Sequence, residues 1–145
     1  MSSINKNPDS KAPLPVGSYP MTRRLGDLLF LSGVGPRKPK SGTDKNSVPG
    51  LVFNANGELT DYDFTIQVHS VFSNVKTILE ESKYNWENLV DITVYLTNMK
   101  RDFDEFNKIY SDYFSDMDPK PCRTTVEVGS LPTPIAIELK CIASL

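Results

Sequence analysis

The sequence predicts an α+β domain, a mixed β-sheet carrying two amphipathic helices on one face. Three observations lead there. An apolar stripe at intervals of three and four residues runs from Asp63 to Ser82, and a second such stripe follows Asp102. The segments around them alternate apolar and polar residues with the period of two that marks a half-buried strand. Right-handed crossovers bring both helices to one sheet face and leave the other bare. A chain of this size with half its sheet uncovered is expected to associate with copies of itself.

Taken in order, Val16 to Thr22 reads as a short edge strand interrupted by Pro20. Residues 23–27 make a turn into the buried run Leu28 to Leu31, which ends at Ser32 and Gly33. From Val34 to Asp61 the chain is rich in Pro, Gly, Asn and Lys, with a short hairpin of Leu51 to Phe53 against Leu59 about Asn56 and Gly57. Loops of this length inside a compact domain tend to be functional or mobile. In the first helix Phe64, Val68, Val71, Phe72, Val75, Ile78 and Leu79 form the inner stripe, with Thr60, Asp61 and Asp63 available as caps. Ile92, Val94 and Leu96 then alternate with Asp91, Thr93 and Tyr95 as a strand. A second helix is expected from Asp102, capped by that carboxylate with Glu105 as its reciprocal partner. Phe103, Phe106, Tyr110 and Phe114 face inward from it.

Composition narrows the class. The 145 residues suffice for one domain, with 39% hydrophobic and 23% charged residues and a net charge of −2. No apolar run approaches the roughly 20 residues of a membrane span, and the polar start MSSINKNPDSKAPLP offers no signal-peptide core, so residues 1–15 are expected to be a disordered lead-in to a single cytoplasmic domain at 16–145. One histidine and two scattered cysteines, Cys122 and Cys141, cannot assemble a usual metal site; no metal or cofactor is expected. The first 50 residues hold eight Lys/Arg against three Asp, a basic front third. Spread over loops, without an aromatic stacking platform, that charge suits small anions rather than nucleic acid.

The stretch Pro121 to Lys140 carries the chemistry. Thr124, Thr125, Val126 and Val128 favour a strand, and the prolyl segment Ser130 to Pro134 returns the chain to a second one, Ile135 to Ile142. Arg123 and Glu138 therefore fall on two strands expected to be adjacent. Glu138 points away from the apolar row of Ile137, Leu139 and Cys141, either into solvent or into a pocket. Tyr19 either covers the core edge or points its phenol into a site. Arg37 and Lys38 are either solvated loop charges or anion contacts. Gly33, at a strand end, permits close backbone approach. Asn107 shares the inner face of the second helix and either ties down a loop or touches a ligand. His69 reads as an ordinary helix-surface histidine.

The phrases GSYP, LLFLSG, VDITVYLTNMKRDFDEFNKIYSDYF, PCRTTVEVGSLP and IAIELKCIA resemble the RidA/YjgF family of imine and enamine deaminases over roughly Val16 to Ala143. The SGVGPRKP loop with its longer insert and RTTVEVGSLPTPIAIELK look most like the 2-aminomuconate deaminase branch. The resemblance implies a chorismate-mutase-like fold, a homotrimer with a central barrel, helices outside and sites between subunits. Carried over by position, Arg123 grips the substrate carboxylate and Glu138 is the second catalytic group. Tyr19, Asn107 and the backbone at Gly33 and Val34 bind substrate. Much of the family has SGQ where Val34 stands here, which argues against a small 2-iminoacid.

The function so implied is hydrolysis of 2-aminomuconate to 4-oxalocrotonate (2-oxohex-3-enedioate) with release of ammonia, Arg37 or Lys38 meeting the second carboxylate. A general 2-iminoacid deaminase and a non-catalytic carboxylate-binding trimer are the alternatives. The ribonuclease activity also associated with the family lacks a histidine pair here.

Overall fold

The computed structural model of the protein describes residues 9–145. The chain opens with a hairpin of β1 (Thr22–Leu25) and β2 (Leu28–Leu31), closed by Gly26 at φ +60°, a left-handed turn that costs glycine no steric penalty. A separate small hairpin, β3 (Leu51–Phe53) and β4 (Leu59–Tyr62), turns at Gly57. Then come α1 (Phe64–Glu81), β5 (Leu89–Leu96), α2 (Met99–Tyr113), β6 (Cys122–Glu127) and β7 (Ile137–Ser144). The main sheet runs β1-β2-β7-β5-β6; β5 and β6 pair in parallel and every other pair is antiparallel. This is the mixed sheet with two helices that the sequence predicts.

The core lies between sheet and helices. From α1, Val68, Val71, Val75 and Leu79 meet Leu31, Val94, Leu96, Ile137 and Cys141 of the strands, all fully buried. Each such side chain contributes roughly 1.5–3 kcal/mol by leaving water. Phe106 of α2 and Phe114, which caps its C-terminus, pack around Phe72 at ring-centroid distances of 6.2 and 6.4 Å. Asp63 caps α1, its Oδ1 accepting from the Ile66 amide at 3.1 Å. Away from the helices, Phe30, Tyr95 and Ile142 are only half-buried, and Leu25, Leu28 and Val126 are exposed. Within one chain that face is bare, as expected.

Several boundaries differ from expectation. The edge strand expected over Val16 to Thr22 does not form, because Pro20 lacks a ladder donor and Tyr19 turns its amide back to the Gly17 carbonyl; β1 is built instead by Thr22–Leu25, largely from residues expected in the turn. Helix α2 starts at Met99, not Asp102: the Asn98 side chain accepts from the Arg101 amide, and Glu127 Oε1 accepts from the Met99 amide at 3.0 Å. Asp102 is instead buried, accepting from the Tyr62 hydroxyl at 2.6 Å and fastening the small hairpin to α2. Residues 1–8 of the expected lead-in lie outside the described residues, while part of the rest packs. Ala12 is buried, and the Ser10 hydroxyl and Lys11 amide both donate to Glu81 at 2.8 Å.

The largest correction concerns the strands bearing Arg123 and Glu138. They are not adjacent. β5 lies between them, pairing Ile92 with Arg123 on one side and Tyr95 with Glu138 on the other. The prolyl segment does not make a hairpin; it carries the chain across the end of β5, where the Val128 amide donates to the Leu96 carbonyl and the Thr97 amide to the Ala136 carbonyl.

Candidate active site

Glu138 sits near the start of β7 between Ile137 and Leu139, both of which turn into the core, so its own side chain emerges on the opposite face. There it lies against Gly33. A Cβ added at Gly33 would stand 2.8 Å from Glu138 Cδ and 2.9 Å from its Oε2, so a side chain there would displace the carboxylate. Gly33, Glu138, Tyr19 and Arg37 line one cleft of about 180 Å³ together with Val16, Gly35, Pro132, Thr133 and Ile135. Burial pushes the Glu138 carboxyl above the usual carboxylate range, partly offset by the charge of Arg37. Burial likewise lowers Arg37, while Tyr19 and Glu138 pull it back up.

Arg37 is only 5% exposed, unusual for a loop arginine. One terminal nitrogen of its guanidinium donates to the carbonyls of Leu14 (2.9 Å) and Gly42 (3.2 Å), which anchors the group. The backbone beneath it is anchored too: buried Asn74 of α1 donates through Nδ2 to the carbonyls of Gly35 (2.9 Å) and Arg37 (2.8 Å). A Cβ at Gly35 would lie 2.8 Å from Ile135 Cδ1, so this loop rests directly on the opposite wall of the cleft. Tyr19 is held within its own loop, its hydroxyl accepting from the Val16 amide at 3.2 Å.

Arg123 belongs to a second cluster on the helical face of the sheet. Its guanidinium carbon stands 4.7 Å from the Tyr110 ring centroid and 5.4 Å from that of Phe106, a double cation–π support. A terminal nitrogen donates to Asn107 Oδ1 at 2.7 Å. Asn107 thus ties down Arg123, an outcome outside the loop and ligand roles between which the sequence left it. Burial pushes the Tyr110 phenol up to about 12, with Arg123 pulling the other way, so a neutral ring lies beneath the cation. Planar support and a fixed hydrogen bond leave the remaining guanidinium donors arranged for a carboxylate.

The expected residues therefore divide. Tyr19, Gly33, Arg37 and Glu138 converge; Arg123 and Asn107 pair with each other on the opposite sheet face of the same chain. Two expected contacts fall away. Val34 is 1% exposed, and both its backbone groups bond Leu139 (2.8 and 2.9 Å), so its side chain fills the core and its amide is taken by the sheet. Lys38 is exposed and lines no part of the cleft. His69 is exposed and bonds the Tyr113 hydroxyl at 2.8 Å through Nδ1. Among the described residues no three His, Cys, Asp or Glu gather as a metal site, and no helix is long and apolar enough to cross a membrane.

Sequence reasoning missed Asn74 and Gln67. Gln67 is fully buried, its Oε1 accepting from the Ala136 amide at 2.8 Å and its Nε2 donating to the Pro49 carbonyl at 3.3 Å. The signal was available, since a primary amide on the buried stripe of a helix needs partners. A wider groove of about 560 Å³ opens on the helical side among Phe72, Lys76, Trp86 and Tyr113, and none of the expected residues line it.

The sequence profile of the family described as Endoribonuclease L-PSP matches residues 9–145. A RutC family protein of Aquifex aeolicus is 38% identical over 133 residues, covering 92% of this chain and 93% of its own. The chloroplastic Reactive Intermediate Deaminase A of Arabidopsis thaliana is 32% identical over 146 residues, covering 99% of this chain and 68% of its own. Among solved structures, E. coli TdcF with bound serine superposes with a TM-score of 0.73 at 26% identity, covering 94% of each chain.

Proposed function

Because the chain belongs to the Endoribonuclease L-PSP (RidA/YjgF) family, we propose that it is an imine and enamine deaminase whose substrate is the dicarboxylate 2-aminomuconate. The carrying observation is the buried guanidinium of Arg37 in the same cleft as Glu138. A deaminase of monocarboxylic imino acids needs one cation for its substrate, and Arg123 already has the geometry for that. Arg37 is a second, separate cation. A name that includes deaminase in one relative and bound serine in another structure agree with a carboxylate-bearing amino or imino ligand.

In this reading Arg123 and Glu138 act together across a subunit boundary, since one chain holds them on opposite sheet faces with β5 between. A homotrimer that covers the bare face supplies Arg123 from one subunit and the Arg37–Glu138 cleft from its neighbour. The enamine first takes a proton at carbon and loses one from nitrogen, giving the imine. Arg123 and Arg37 grip the two carboxylates and leave the C=N carbon facing Glu138. Glu138 removes a proton from water as the oxygen attacks that carbon. The proton passes to nitrogen, giving a carbinolamine. The carbinolamine hydroxyl then gives up its proton, which Glu138 carries to nitrogen; as the C=O bond forms, the C–N bond breaks with its electron pair going to nitrogen, and ammonia and 4-oxalocrotonate leave.

The test is ammonia release and loss of conjugated-diene absorbance on mixing the protein with freshly generated 2-aminomuconate. Turnover is expected, and its abolition in Arg123→Ala. Activity confined to imines of ordinary monocarboxylic amino acids would keep the mechanism and discard the substrate. Absence of turnover on both, with carboxylate binding that survives Glu138→Ala, would overturn the enzyme reading.

A further inference from the structure

Helix α1 contributes no atom to the lining of the cleft, yet two buried amides on its inner stripe fasten opposite walls of it. Asn74 holds the Gly35–Arg37 wall through two carbonyls; Gln67, two turns earlier, holds the Ala136 amide directly after Ile135 of the other wall. The two walls touch where Gly35 meets Ile135. Seven residues correspond to about two helical turns, so both amides project from one side of the helix, at different heights.

We propose that Asn74 is a positioning residue for Arg37, fixing the 35–37 backbone so that the guanidinium enters the cleft beside Glu138. The side-chain anchors of Arg37, the carbonyls of Leu14 and Gly42, both lie in loops, which by themselves hold a long side chain loosely. Asn74 is the anchor that comes from a rigid element. It spends both hydrogens of its Nδ2 on carbonyls of the 35–37 segment, bridging 39 and 37 residues of chain. A carboxylate at this position would face two carbonyl oxygens without donors, and a hydrocarbon would leave both carbonyls buried and unpaired.

Asn74→Asp preserves shape and removes the donors; Asn74→Leu preserves size and removes all polarity. Both are compared with wild type in two ways. The first is site-resolved modification by phenylglyoxal, read by peptide mass. Arg37 is expected to be protected in wild type and to react at least about tenfold faster in either variant, with Arg123 unchanged; a protein destabilised throughout would raise both. The second rests on the dicarboxylate reading above: KM for 2-aminomuconate rises by about tenfold with kcat within a factor of about three, and KM for a monocarboxylic imine stays put. Arg37→Ala is the control that separates the two ideas. If Arg37→Ala leaves the 2-aminomuconate KM unchanged, the dicarboxylate role fails while the modification assay still decides the positioning. If Arg37 stays as protected as in wild type in both Asn74 variants, the positioning is overturned. Should Asn74→Leu not fold, Asn74→Asp alone carries the comparison.

Discussion

The two clusters of this molecule are built from different materials. Arg123 is held entirely by regular elements: it leaves β6, lies over two rings of α2 and bonds Asn107 of the same helix. Glu138 also leaves a strand and has Tyr95 of β5 as its neighbour in the sheet, but the other residues that line its cleft come from loops, from Val16 and Tyr19 through Gly33–Arg37 to Pro132–Ile135. A carboxylate grip that every substrate of one chemical class shares gains from rigidity. In the proposed function, the part that tells one substrate from another sits on segments whose length and sequence can change without disturbing the sheet. On that reading the general step belongs to the Arg123 cluster and the choice of substrate to the Arg37 loop.

The sharpest way to break that division is to separate the clusters physically. Arg123→Ala and Glu138→Ala are each expected to be inactive. If the working site takes Arg123 from one subunit and Glu138 from another, unfolding and refolding the two variants together restores activity. In randomly mixed assemblies about a quarter of the sites pair an intact arginine with an intact glutamate. No recovery in the mixture, with each variant separately folded, would mean that the two residues never share a site.

Next in size is the support of Arg123. Asn107→Leu keeps the helix and the aromatic shelf and removes the acceptor at 2.7 Å. Turnover is expected to fall by roughly ten- to a hundredfold for every substrate alike, because a guanidinium that is free to swing loses orientation rather than charge. Arg37→Ala, by contrast, is expected to discriminate between dicarboxylic and monocarboxylic substrates. Equal selectivity ratios in the two variants would erase the distinction between a general and a selective cluster.

How much of this was legible in the residues depends on the range of the interaction. The helices were, because the stripe from Phe64 to Leu79 is a local pattern, and so was the side of β7 on which Glu138 emerges. Strand neighbours were not. Cys122 to Glu127 and Ile137 to Ser144 follow one another among the strands, and it takes the long-range bonds of Val128 to Leu96 and of Thr97 to Ala136 to show why the connection crosses β5 instead of turning back. The same limit explains Asp102. Its spacing to Glu105 mimics a capping box, yet a hydroxyl 40 residues away, on Tyr62, claims the carboxylate. Val34 fell away for a related reason: the family resemblance carried a substrate-binding backbone onto it, but Leu139 uses both of its polar groups. Arg37 is the opposite case. Its charge was visible, and its burial was not, since the groups that hold it, the carbonyls of Leu14 and Gly42 and the Asn74 amide on its backbone, are brought to it only by the fold.

The smallest effect concerns stability rather than rate, and it tests whether the Glu138 cleft is closed enough to matter. Burial raises the Glu138 carboxyl above its ordinary value, with Arg37 opposing. A carboxyl raised in the folded state costs no stability while both states are protonated. As pH climbs through the window from the ordinary carboxylate value to the raised one, the unfolded chain ionises first and the native state loses ground; above that window the loss is constant. Glu138→Gln removes the ionisation. It is expected to melt higher than wild type at pH 7, by a few degrees at most, and level with it below pH 4. Buried Asp102 is raised for the same reason and remains in both proteins, so its contribution cancels in the difference. If the two melting curves differ by the same amount at both pH values, the carboxyl is effectively solvated in the folded chain, and the contrast between an enclosed Glu138 cluster and an edge-strand Arg123 cluster loses its electrostatic half.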